Sequence, residues 1–349
     1  MNDLLRQLTE AVGVSGGEKE VRLLIRDLIA DHIDSWSVDT MGNLLATKRG
    51  TGASDLRVLV DAHMDEVGLL VVEIENSGML KFVTVGGFDD RALLGKVVQV
   101  GPRKATGVIG ARAVHLLKSN ERNKVVKVDA MRIDIGAKNK DAAAAKVKVG
   151  DYAAFVTPYE EIGAPRSRTA IGKAFDNRAG CAALIELLRG ERYPFDLIAA
   201  FTVQEEVGLR GAKIAAYSAR PDVALVLEST PAYDLPNDKD VSPNVALGRG
   251  PSVYVMDART IQDPRLVAHL TRTADARGIP YQIRQPGGGG TNTGAIQRAA
   301  AGIPVATLAV PGRYAHTPTM MISLDDYENV VRLADAALRE LTTDIVRRS

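Results

Sequence analysis

From Thr169 onward, short apolar runs alternate with amphipathic segments of helical period, and this alternation constrains the fold more than any other feature of the chain. The pattern predicts helices over residues 177–189, 211–217, 263–277, 293–300 and 323–341. Between them it predicts strands at 197–203 and 223–227, a short one near Tyr281, and another at 305–310. An earlier helix, 18–33, and an earlier strand, 57–62, have the same texture. Strands that are apolar throughout and separated by helices form a mainly parallel sheet covered on both faces. The expected fold class is therefore α/β.

The texture changes after residue 70. VGLLVVEIENSGMLKFVTVGG reads as two β-rich runs joined at Asn76-Ser77-Gly78, a hairpin signal. KVVQV, TGVIGA and KVKVGDYAAFVT follow, punctuated by glycine and with no long helix between them. Residues 71–166 thus read as a small all-β insertion. Residues 1–70 and 167–349 would form one discontinuous domain around it. Within the insertion, residues 118–140 are rich in charge and read as solvated loops.

Composition removes several classes of function. The 349 residues carry a formal net charge of +1 and only 5% aromatics, so no basic, aromatic-studded face invites nucleic acid. One cysteine, Cys181, excludes an intrachain disulfide, and its setting AGCAALIELL reads as helix core. MNDLLRQLTEAVG lacks the apolar centre of a signal peptide. No run approaches about 20 apolar residues, so no membrane span is expected and the predicted location is cytoplasmic.

In open α/β sheets, ligands bind beyond the carboxyl ends of the strands. The polar residues at those ends are His63 and Asp65, Glu205 and Glu206, Glu228, and His316, with Asp176 opening the helix after the insertion. Imidazole together with carboxylate, and no competing thiolate, suits zinc, cobalt or manganese. Asp65, two residues beyond His63 on an extended path, can hold the far ring nitrogen of that histidine. His63, Asp176, Glu206, Glu228 and His316 would be five ligands. That is too many for one open tetrahedral zinc but enough for two ions sharing a carboxylate. Asp176, at a predicted helix start, is the natural bridge. One of the adjacent glutamates then binds metal and the other stays free as general base. Residues 287–290 are all glycine and read as a tight turn, which makes Gly289, Gly290, Thr291 and Asn292 candidate substrate contacts.

Four blocks, VDAHMDEVG, AFDNRAG, TVQEEVGLRGA and RYAHTP, occur in this order with the β-rich insertion between the first two. Together they resemble the tetrahedral aminopeptidase family of dinuclear metallo-aminopeptidases, which includes glutamyl, leucyl and lysyl aminopeptidases and members mislabelled as endoglucanases. The resemblance implies a zinc-exopeptidase-like fold with two divalent ions per subunit, zinc or cobalt first and manganese next. It implies that His63, Asp176 and Glu228 hold one ion and Asp176, Glu206 and His316 the other, with Glu205 as base and Asp65 behind His63. It further implies peptide substrates, a cis bond after Asp176, and an inserted domain serving dimerisation and assembly, up to dodecamers built from dimers. Three positions depart from the family pattern: Glu228 and Asn292 stand where aspartate is usual, and Met320 where an acid is frequent.

Each residue also has a plainer reading. His63 or His316 alone could be structural, Asp176 an N-cap, the glutamate pair a solvated strand end, and Asp89-Asp90-Arg91 a polar turn. His32, His115 and His269 lie outside the cluster. A carboxylate-pair glycosidase would need neither histidine and would survive chelation. A metal-dependent deacylase or carboxypeptidase would accept an acetylated peptide.

Overall fold

The computed structural model describes residues 2–120, 122–163, 167–235, 245–285 and 287–347. The chain enters through helices α1 (Asn2–Glu10) and α2 (Lys19–Ile29), then strands β1 (Ser35–Val38), β2 (Leu44–Lys48) and β3 (Arg57–His63). Six strands follow directly: β4 (Gly68–Ile74), β5 (Leu80–Val85), β6 (Val97–Val100), β7 (Ala105–Gly110), β8 (Arg132–Asp134) and β9 (Tyr152–Phe155), with a short helix α3 (Lys140–Ala144) before the last. The remainder alternates: β10 (Glu160–Ile162), β11 (Thr169–Gly172), α4 (Phe175–Arg189), β12 (Asp196–Thr202), α5 (Arg210–Ala219), β13 (Val223–Pro231) and β14 (Ser252–Tyr254). It ends with α6 (Pro264–Arg277), β15 (Gln282–Arg284), α7 (Thr293–Ile296), β16 (Val305–Arg313), β17 (Met320–Ser323), α8 (Leu324–Arg339) and α9 (Thr343–Val346).

The large sheet runs β1-β2-β12-β3-β13-β16-β17-β11-β10, with β14 beside β16 and β15 beside β14. It is mixed rather than mainly parallel. The four central strands β12, β3, β13 and β16 pair in parallel, and so do β14 and β15, whereas β1 against β2, β2 against β12, β14 against β16, β16 against β17, β17 against β11 and β11 against β10 are antiparallel. Parallel neighbours need crossover helices, and the antiparallel outer strands lack them. β1 and β2, for example, are joined by residues 39–43 alone.

Both faces are covered. Val58, Val60 and Ala62 join the core built with α1, α2, α4 and α8, whereas Leu59 faces the core built with α5 and α7. Alternation then puts Asp61 and His63 on the α5–α7 face. Glu228, in phase with Ala224 and Val226 of that second core, lies on the same side.

Strands β4-β5-β8-β7-β6-β9 close into a barrel with its own apolar core, including Leu69, Phe82, Val98 and Ile133. It begins at Gly68 rather than Val71. Residues 160–162, assigned to the insertion from sequence, instead pair with β11 in the large sheet. The expected far boundary at Arg166 lies outside the described residues. The charged stretch 118–140 is not loop alone: β8 lies within it, with Ile133 buried in the barrel. Among the described residues, no helix is long and apolar enough to cross a membrane.

Candidate metal centre

The parallel register brings the strand ends together: Thr202 lies opposite His63, and Val226 opposite Asp61. His63 is buried at the tip of β3. Its Nε2 lies 3.3 Å from Asp176 Oδ1 and 3.3 Å from Glu228 Oε1. On the other side His316, in the loop after β16, has Nε2 3.2 Å from Glu206 Oε2 and 3.6 Å from Asp176 Oδ2. Asp176 thus presents one oxygen to each histidine. Three trios place candidate ligand atoms within 4.8 Å of one another: His63–Asp176–Glu228, Asp176–Glu206–His316 and His63–Glu205–Glu206. The first two share Asp176. All six side chains line one cavity of about 320 Å³.

The helix-start argument for Asp176 needs correction. Asp176 (φ −83°, ψ 103°) and Asn177 are not helical, and the peptide bond between them is cis. The capping role falls to Asn177, whose Oδ1 accepts the Gly180 N–H at 3.0 Å while its Nδ2 donates to the Leu227 carbonyl. Gly180 is required here, because a Cβ would lie 2.7 Å from that carbonyl oxygen. Ala174, Gln204, Leu209, Tyr314 and His316 all adopt left-handed φ without being glycine. Each costs roughly 1 kcal/mol or more, and they gather where the chain turns into the site.

Asp65 is fully buried beneath the site. Its Oδ1 lies 3.4 Å from His63 Nδ1 and accepts the Glu205 N–H at 3.0 Å. Its Oδ2 accepts the Glu206 N–H at 3.1 Å and the Ser15 hydroxyl at 2.6 Å. It therefore orients the histidine and the glutamate pair together. A second buried group ties the two ligand segments from behind. Glu66 accepts Lys173 Nζ at 2.8 Å on both oxygens and Arg178 Nη2 at 3.3 Å, and Arg178 Nε donates to the Met64 carbonyl.

The site carries more carboxylates than its cations balance. Burial, reinforced by Asp176 and Glu205, drives the Glu206 carboxyl well above its ordinary range. Burial, with Glu228 and Asp65 nearby, does the same to Glu205, and Glu228 is raised for the same first reason. For His63, burial disfavours the charged ring, but the Glu228 carboxylate and the contacts with Asp176 and Asp65 outweigh it and raise the pKa. Burial likewise opposes ionisation of Asp176 and Asp65, yet His63 holds both low. Glu228 Oε2 is buried without a hydrogen-bond partner. Imidazoles, crowded carboxylates and an unpartnered buried oxygen form a donor set suited to divalent cations, which would relieve the crowding.

The glycine-turn candidates divide. Gly289, Gly290 and Thr291 line the cavity, but Asn292 does not. Its Nδ2 donates to Asp61 Oδ2 at 2.8 Å and Thr202 Oγ1 at 2.9 Å, a layer below in the sheet. Asp61 is a buried carboxyl pushed by burial to about 7. Met320 lies beneath Asp176, whose N–H meets its sulfur at 3.4 Å. His269 bonds the Ala337 carbonyl, and Cys181 is buried against β3. Sequence reasoning missed Tyr254, Arg259 and Arg284, which also line the cavity. They stand on short or irregular segments with no periodic signal.

A family model described as M42 glutamyl aminopeptidase matches residues 42–333. The chain is 36% identical to a TET aminopeptidase from the marine sediment archaeon Thaumarchaeota archaeon SCGC AB-539-E09, with a TM-score of 0.94 over 99% of this chain and 97% of that one. It is 35% identical to the Pyrococcus horikoshii TET1 peptidase, described as able to assemble into a tetrahedron or a large octahedral shell, with a TM-score of 0.85 over 97% and 99%. It is 31% identical to a lysyl aminopeptidase of Pyrococcus furiosus, over 97% of each chain.

Proposed function

Since this chain belongs to the M42 glutamyl aminopeptidase family and is a peptide-bond hydrolase of that kind, we propose that it releases amino-terminal residues from peptides with the help of two divalent ions. The single observation that carries this reading is the position of Asp176, shared between a trio with His63 and Glu228 and a trio with Glu206 and His316. Those five side chains would hold the ions. When bound, the ions would supply Lewis acidity and lower the pKa of water at the site.

The chain's own groups do the rest. Glu205 lines the same cavity, and the family resemblance makes it, of the two adjacent glutamates, the one that serves as general base. It takes a proton from the attacking water as that water's oxygen bonds to the scissile carbonyl carbon. It then gives the proton to the departing amine nitrogen as the carbon–nitrogen bond breaks. Asp65 fixes the backbone of Glu205 and Glu206 and the ring of His63, which keeps base and ligands in one geometry. A free α-amine able to bind an ion at the site would account for cutting at amino termini.

The β4–β9 barrel would serve self-association. It exposes Val72, Val83, Val97 and Val108 on four successive strands, and large assemblies described for a close structural neighbour support the same reading. The test of the activity is turnover of aminoacyl chromogenic amides after metal stripping and reloading with zinc, cobalt or manganese. Stripped protein should be inactive and reloaded protein active, with an acetylated peptide refused. Undiminished turnover after stripping, or ready cleavage of the acetylated peptide, would overturn it.

A further inference from the structure

The family leaves the identity of the released residue open, since its description names glutamyl activity while a relative of this chain is a lysyl aminopeptidase. One side chain in the cavity bears on the choice between these opposite charges. Arg284, at the end of β15, lines the cavity yet is only 4% exposed. Its guanidinium sits 4.4 Å over the Tyr254 ring, also in the cavity wall. Nη2 donates to the Gly288 carbonyl at 3.3 Å, while Nε and Nη1 have no hydrogen-bond partner. Among the described residues, no carboxylate forms an ion pair with it. A buried guanidinium with unused donors is costly, and buried charge is ordinarily paired.

The described surroundings offer it no free acid. Among the described residues, Asp257 is the only other acid in the wall outside the metal cluster, and it is engaged: its Oδ1 accepts the N–H groups of Arg259 and Thr260 and its Oδ2 the Thr291 hydroxyl. Arg259, a second guanidinium in the wall, likewise has no ion pair among the described residues. The loop before the site bears only glycine at 287–290, so no side chain covers the guanidinium from that direction. Tyr254 holds the planar guanidinium in place by stacking.

We propose that Arg284 is a specificity-determining residue that takes the side-chain carboxylate of an acidic amino-terminal residue, with Arg259 adding positive field at the rim. This rests on the aminopeptidase reading above. A carboxylate accepts from an unused donor, Nε or Nη1, whereas the neutral amide of glutamine offers a weaker acceptor and lysine places like charge against like. Selectivity arises because the wrong residue leaves the guanidinium buried and unpaired.

The test compares kcat/KM of the metal-loaded protein on glutamyl, glutaminyl, leucyl and lysyl 4-nitroanilides. Glutamyl should exceed glutaminyl on the order of 10- to 100-fold, with lysyl poorest. Arg284→Gln should bring the glutamyl-to-glutaminyl ratio close to one, Arg284→Lys should keep part of it, and Arg284→Glu should turn the preference toward lysyl. Calorimetric titration of the unmutated protein with free L-glutamate and L-glutamine gives the same comparison without turnover or substitution, and glutamate should bind more tightly by a similar factor. A wild-type ratio at or below one, equal binding of the two amino acids, or a ratio preserved in Arg284→Gln overturns the proposal. Failure of the aminopeptidase reading looks different: no amide is cleaved at all, and the glutamate titration still decides the role of Arg284.

Discussion

The barrel and the large sheet solve burial in opposite ways. Within Gly68–Phe155 the interior is apolar, and Asp151 is the only charged or polar residue buried there among those described. Its unusual feature is outside, where Val72, Val83, Val97 and Val108 face solvent at 37–44% exposure. A closed barrel has no free strand edge, so these side chains, not backbone pairing, are what it offers a partner. The sheet domain also exposes apolar side chains, Trp36 and Ile261 among them, but its interior differs. It buries Asp61, His63, Asp65, Glu66, Lys173, Arg178 and Glu228 in its interior. Charge kept inside at a cost sets the sheet apart as the region that holds the candidate site.

That contrast can be broken at either end. The largest effect belongs to the sheet: Glu205→Gln should lower kcat on the order of 10²- to 10⁴-fold. Sedimentation of this variant should match the unmutated protein; retained turnover would remove Glu205 as base. Next comes the barrel. Val83→Lys combined with Val108→Lys should weaken self-association tenfold or more, since each valine left unburied forfeits about 1.5–3 kcal/mol. Turnover of a small amide should barely change, and sedimentation indistinguishable from the unmutated protein would move the interface elsewhere.

A smaller effect sharpens the view of the sheet's inner charges. Burial pushes the Lys173 ammonium down to about 8 despite its contact with Glu66. Between about pH 8 and pH 10.4 the unfolded chain therefore binds more protons at this site than the folded one. Stability contributed here is lowest below pH 8 and rises with pH through that window, on the order of 3 kcal/mol in all. Lys173→Met should flatten the rise in the denaturation midpoint, and an unchanged slope would place the linkage on another group.

Much of this organisation is written in local sequence. The uniformly apolar runs around Val58–Val60 and Ala224–Val226 mark central strands, and polar residues at their ends gather because parallel strands finish on one side. What escapes is structure without a period. β1 has all four residues exposed, and β8 buries only Ile133 of its three residues, so neither leaves a pattern. α7 stops at Ile296, well short of the expected 300. Asn292 looked like a substrate contact because it follows four glycines, but its partners Asp61 and Thr202 come from strands 231 and 90 residues away. Arg284 escapes for the same reason: its isolation is a property of the folded neighbourhood.

Asp65 has one more consequence. His63 ends β3 and Asp65 follows it, whereas Glu205 and Glu206 follow β12, and loops of that kind ordinarily drift independently. Here a single rigid carboxylate grips both, so thermal excursions of one segment are transmitted to the other. The reactive spacing is thereby carried as one unit while the sheet around it breathes.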